Sequence, residues 1–302
     1  MASMQNKPDT ACPEFWIQEW ERFQRHHKIG CNFRSPEFWN QKAEKYYEDK
    51  TGSSNRISRV LDYLERKKIL TAGIRILDIG SGPGTFAIPF IERGASVVCV
   101  DVSQAMLDQI DARVKPEQKS QLVKKWSSWH DLDLQKDNDC HDFDLVFAHM
   151  TPAINSGKEL LKMIQASRKW CFLAGWAGNR ENQPLDDLHR LFLHEKRKSR
   201  HFHFALNVLY TSGIFPELWF QEHEWSKSIP LQDAINYYTD FFSRLTTHSK
   251  HNVRTEISDV LKKRNQDGMI TKTHRGSIGA MLWSVKGIDF AIKHKGQPPQ
   301  AC

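Results

Sequence analysis

The 302-residue sequence is poor in cysteine, and its six cysteines (Cys12, Cys31, Cys99, Cys140, Cys171 and Cys302) form no Cys-x-x-Cys pair. This excludes a disulfide framework or a zinc ribbon. A chain of this length can bury a sufficient core without either. Cys99 and Cys171 sit in apolar runs and read as buried thiols, which suits a reducing compartment. The sequence also lacks an apolar signal-peptide core near its start, a run long enough to cross a bilayer, a low-complexity tract and an internal repeat. A cytoplasmic globular protein with no membrane partner is the expectation.

Charge of one sign is not concentrated. There are 43 Lys and Arg against 36 Asp and Glu, a net +7. This balance leaves anionic partners such as RNA, DNA or an acidic protein surface open. The densest basic stretches, 196–201 and 262–264, read as solvated faces. His189, His194, His201 and His203 are loosely spaced, with no Cys or acid set beside them, so no metal site is expected.

Hydrophobic periodicity divides the chain. Residues 1–12 read as a loose polar segment and 13–50 as two helices, one over 13–27 with Phe15, Trp16, Trp20 and Phe23 at near-helical spacing, and one opened by Ser35-Pro36-Glu37. An amphipathic helix follows over 57–68. Short apolar runs at 74–79, 96–101, 121–126, 143–148 and 169–176 then alternate with helical stretches at 86–93, 103–114 and 157–167. That alternation specifies βαβ units, hence an α/β fold with a parallel sheet and helices on both faces. Beyond Trp176 it breaks: 177–215 reads as a helical or irregular insertion, 218–225 as a strand, 231–245 as a helix and 278–285 as a late strand.

The chemistry-bearing segment is Ile76-Leu77-Asp78-Ile79-Gly80-Ser81-Gly82-Pro83-Gly84-Thr85, a strand entering a Gly-x-Gly-x-Gly turn with a helix leaving it. Glycines permit the tight turn and close approach of a ligand. Asp101 ends the next strand, where an acid accepts hydrogen bonds from ribose hydroxyls. Thr85 stands where a dinucleotide fingerprint continues differently, and no Gly-Lys-Ser/Thr ending marks a phosphate loop. Asp78, just before the glycines, would repel a phosphate and attract a ligand with an amino group and a sulfonium.

Asp78 to Gly84 resembles motif I of the class I S-adenosylmethionine (SAM)-dependent methyltransferases of the type 11/25 kind, and Asp101-Val102-Ser103-Gln104-Ala105-Met106-Leu107 is similar to the segment that follows it. The resemblance covers roughly 57–176. It implies a Rossmann-like, seven-stranded, mostly parallel sheet and SAM as cofactor. Residues 1–50 would form a helical lid, and 51–302 the methyltransferase domain with a substrate-side insertion at about 177–215. Gly80, Gly82 and Gly84, with Ser81 in the same turn, would pass under the methionine and ribose. Asp78 would help hold the methionine amino end and Asp101 both ribose hydroxyls, with Val102 and Met106 near the adenine. Ser128 occupies the position where the family places an acid for the adenine amine, and Trp129 beside it would stack on the ring.

Ligands of open α/β sheets bind at the carboxyl ends of strands, which places His149 near the transferred methyl as a candidate base and Trp176 beside it. Tyr46 and Tyr47 are candidate lid residues. His149-Met150-Thr151-Pro152 replaces the Asn/Asp-Pro-Pro-aromatic loop of many base- and amide-methylating enzymes, which argues against DNA N-methylation. The leading expectation is a methyltransferase acting on a small molecule. RNA or a protein side chain is the alternative acceptor, and a SAM-binding module without catalysis or a dinucleotide oxidoreductase the contrasting class.

Overall fold

The computed structural model describes residues 9–26, 35–48, 54–136, 139–194 and 200–288. Three helices come first, α1 (Pro13–His26), α2 (Pro36–Glu48) and α3 (Ser54–Arg66). Proline opens α1 and α2, where its missing N–H would have had no intrahelical partner. The alternating region follows: β1 (Arg75–Ile79), α4 (Ala87–Glu92), β2 (Ser96–Asp101), α5 (Gln104–Asp111), a 3-10 turn, β3 (Leu122–Trp126), β4 (Phe143–His149), α6 (Gly157–Ala166) and β5 (Ser167–Gln183). The chain continues through α7 (Leu185–Leu193), α8 (His201–Thr211), β6 (Glu217–Pro230), α9 (Leu231–Phe242), α10 (Lys250–Lys262) and β7 (Met269–Ser284).

The strands form one seven-stranded sheet in the order β3-β2-β1-β4-β5-β7-β6. β3, β2, β1, β4 and β5 pair parallel, as the alternation requires. β1 and β4 are buried on both faces, which is why 76–79 and 143–148 read as nearly unbroken apolar runs. Because β1 lies between β2 and β4, the connections leave it in opposite directions, and a crevice opens at the carboxyl ends of these strands.

The chain divides into two compact units, one of 1–175, 204–218 and 280–302, the other of 176–203 and 219–279. In the first, Phe86, Phe90, Phe147 and Phe172 pack ring against ring behind the crevice. Helix α1 lies on the start of α6, so closely that a Cβ at Gly157 would come 2.6 Å from Ile17 Cγ1. In the second, Leu188 and Phe192 of α7, Tyr238 and Phe242 of α9 and Val253, Ile257 and Leu261 of α10 share a separate apolar core.

Three strands exceed their expected lengths. β5 continues from Trp176 to Gln183, inside the stretch read as a helical insertion; β6 reaches Pro230, and β7 starts at Met269. Their extra residues are rich in Gly, Asn, Thr, His and Arg and lack continuous burial, so an apolar-run criterion stops short of them. Helix α10 also carries too sparse an apolar pattern to mark a helix. It buries only Val253, Ile257 and Leu261, one residue per turn. No described helix is long and apolar enough to cross a membrane.

Candidate functional site

The first unit holds a cavity of about 330 Å³ at the crevice, within the size range of small-ligand sites. Residue by residue, β1 and its turn supply Asp78, Gly80, Ser81 and Gly82; β2 and the segment after it supply Asp101, Val102 and Met106; the β3 loop supplies Trp129, and the end of β4 supplies His149. The parallel register Asp78↔Cys99 and Ile79↔Val100 puts Asp101 just beyond the end of β1's pairing, so two acids project from adjacent strand ends.

The glycine turn is shaped by positive φ at Gly80, Gly82 and Gly84 (64°, 53° and 80°), which L side chains adopt only with strain. A Cβ at Gly80 would collide with the Thr151 side chain from the β4 loop. Gly84 is not a lining residue: a Cβ there would meet Ile110 and Ile88 at 3.1–3.3 Å, so it serves packing of the turn on α5. The turn's amides point inward to the protein. Gly80 and Ser81 donate to Val100 O at 2.7 and 3.2 Å, and Gly82 donates to Asp101 Oδ2 at 2.8 Å. Asp101 Oδ1 accepts from Ser103 N–H at 2.9 Å, and Ser103 Oγ caps α5 by accepting from Met106 N–H. A pyrophosphate needs free amides at such a turn; here they are already engaged.

Electrostatically the floor is acidic. Burial first, and then the charge of Asp101, push the Asp78 carboxyl up to about 8. Asp101 is also raised by burial, against the opposing hydrogen bonds from Ser103, Gly82 and Val102. Two desolvated carboxyls side by side favour a ligand that brings positive charge or hydroxyl donors.

His149 is half-buried on the cavity wall, its ring 4.6 Å from that of Phe86 and nearly parallel to those of Phe147 and Phe172. Met150 follows with φ 53°, a left-handed conformation rare for such a residue, and its N–H donates to Ala174 O at 2.8 Å. Trp129 is buried; its Nε1 donates to Glu159 O at 3.1 Å and the Lys162 ammonium lies 4.7 Å from its ring centroid. Ser128, which also lines the cavity, donates to Asp131 Oδ2 at 2.6 Å.

Trp176 is not a lining residue. It belongs to the second unit, where Arg180 lies 4.2 Å and His274 4.5 Å from its ring. The side chains of Tyr46 and Tyr47 lie outside the described residues, as do 195–199 of the basic segment. His189 is buried against Phe242, His194 ends α7 in the left-handed region, and among the described residues no group of three or more His, Cys, Asp or Glu is arranged to hold a metal.

Sequence reasoning missed Trp39 of α2, Arg56 of α3, and Asn155 and Glu159 around the start of α6, all of which line the cavity. Glu159 Oε2 accepts from Asn155 N–H at 2.9 Å, and Asn155 Oδ1 accepts from Gln24 of α1 at 2.6 Å. The one available signal was Ser156-x-x-Glu159, a helix-start pattern in which Ser156 Oγ caps Glu159 N–H while the buried acid accepts from Asn155 N–H instead of Ser156 N–H.

Residues 76–171 match the family described as a methyltransferase domain. An uncharacterized protein of Haemophilus influenzae is 28% identical over 206 residues, 66% of this chain and 72% of that protein. The biotin biosynthesis bifunctional protein BioHC of Cellvibrio japonicus is 40% identical over 68 residues, which is 22% of this chain and only 13% of that protein. Among solved structures, magnesium protoporphyrin IX methyltransferase from Synechocystis PCC 6803 is similar with a TM-score of 0.45 and 13% identity, over 76% of this chain and 83% of that one.

Proposed function

We propose, from the match of residues 76–171 to a methyltransferase domain and from the lining of the cavity, that this chain is a class I SAM-dependent methyltransferase, that its cavity takes SAM and that it methylates a small-molecule acceptor. The observation that carries the cofactor reading is the pairing of desolvated Asp78 and Asp101 beside a glycine turn whose amides are already engaged. This donor set fits SAM: Asp78 would face the amino end, Asp101 the ribose hydroxyls, and Met106 and Trp129 the adenine. When bound, SAM supplies a methyl group activated by a cationic sulfur.

The residues of this chain then orient, exclude water and handle a proton. Gly80 lets the ligand approach the backbone closely, and Phe86, Phe147 and Phe172 keep water from the wall behind His149. His149 lies on that wall as the base that would take a proton from the acceptor. Trp176 has no step in this reaction as proposed, since it packs on Arg180 and His274. Among the described lining residues Arg56 is the one Lys or Arg, a poor footing for a polyanion, which favours a small acceptor over RNA.

The test is transfer of label from methyl-labelled SAM into separate metabolite, RNA and protein fractions. Label is expected in the metabolite fraction, reduced about 10²–10⁴-fold by His149→Ala, the usual range for loss of a general base. Label confined to RNA or protein would replace the acceptor assignment.

A further inference from the structure

We propose that Asn40 is a positioning residue: by capping α5 from α2 it fixes Trp39 as a wall of the cavity, and it makes the attachment of α2 depend on what occupies that cavity. The dependence on a ligand rests on the SAM reading above; the placing of Trp39 does not.

The start of a helix leaves N–H groups with no partner inside the helix. In α5, Met106 N–H donates to Ser103 Oγ at 3.2 Å. Ala105 N–H donates to Asn40 Oδ1 at 3.4 Å, a side chain 65 residues earlier in the chain. The same oxygen accepts the Ser103 hydroxyl at 2.6 Å. One turn further along both helices, Gln109 Nε2 donates to the carbonyl of buried Ala43 at 2.5 Å. Ser103 is wholly buried, and its N–H donates to Asp101 Oδ1 at 2.9 Å. A chain of hydrogen bonds therefore runs from Asp101, at the cavity, through Ser103 to Asn40. Trp39, the neighbouring residue of α2, lines the same cavity. Successive side chains of a helix point about 100° apart, so one turn of α2 serves as both clasp and wall. A ligand gains the Trp39 contact only while the clasp holds that ring in place, and its binding favours the clasped state.

Hydrogen exchange of the wild type, Asn40→Leu and Asn40→Asp, read over α2, β1 and β4 with and without saturating S-adenosylhomocysteine, tests this. Leucine keeps the size of the side chain but cannot accept a hydrogen bond, whereas aspartate can. Asn40 is exposed, so neither change touches the core. Without ligand, Asn40→Leu should speed exchange in α2 by about 3–30-fold, the equivalent of a lost helix cap. β1 and β4 should not change, and Asn40→Asp should behave as the wild type. With ligand, exchange in α2 should slow in the wild type and in Asn40→Asp, but not in Asn40→Leu. Unchanged α2 exchange in ligand-free Asn40→Leu would overturn the assignment. So would acceleration shared equally by β1 and β4, which marks general destabilisation. Ligand slowing that spares α2 in the wild type, or that persists undiminished in Asn40→Leu, contradicts the coupling. If S-adenosylhomocysteine slows no segment of the wild type, the SAM reading and the coupling fail together, and the ligand-free comparison alone decides the placing of Trp39.

Discussion

Asp78 is almost wholly buried with a second carboxyl nearby, and its titration is therefore a direct probe of the cavity floor. Its folded-state pKa of about 8 lies above the unfolded value near 4. The folded protein therefore holds an extra proton between these values, and the associated stability is complete below about pH 4 and lost as pH rises through about 8. Asp78→Asn removes this dependence. The stability gap between Asp78→Asn and the wild type should widen by up to about 1.4 kcal/mol per pH unit across that window and level off above it. Thermal melts of the two proteins from pH 5 to 9 measure it; a gap that does not change with pH contradicts the burial argument. That Asp78, Gly80, Gly82 and Asp101 share one cavity was legible in the sequence, because one strand–turn–helix segment and the next strand carry them; Gly84 of the same motif packs on α5 instead. Arg56, Trp39 and Glu159 were not legible, because they reach the cavity from separate helices whose local patterns signal only amphipathicity.

Among the elements, the central strands were legible and the outer ones only partly so. β1, β2 and β4 are buried on both faces and announce themselves as apolar runs, whereas β6, at the edge of the sheet, is mostly exposed and carries Glu222, Glu224 and Lys227. The docking of α1 on α6 was not legible at all, since it depends on a glycine at a helix start whose sequence says nothing of what packs against it. Gly157 admits Ile17, and the Gln24–Asn155 bond ties the same two regions. Gly157→Ala should destabilise by about 1–3 kcal/mol, as overpacking does. In an Ile17→Ala background the same substitution should cost markedly less, because the colliding atoms are gone. Denaturant melts of the four proteins give the coupling; strict additivity would show that the two helices do not meet there.

For the whole molecule, the modest net charge and the scattered basic residues identify no partner, and the second unit, with its own core of α7, α9 and α10, lies outside the matched methyltransferase residues. The proposed cofactor rests on the first unit, where two buried acids stand beside a turn whose amides are engaged within the protein. Calorimetric titration of the purified protein with SAM and with NAD, under identical conditions, tests this most directly. SAM should bind in the low-micromolar range with no heat from NAD; NAD binding without SAM binding would contradict the account.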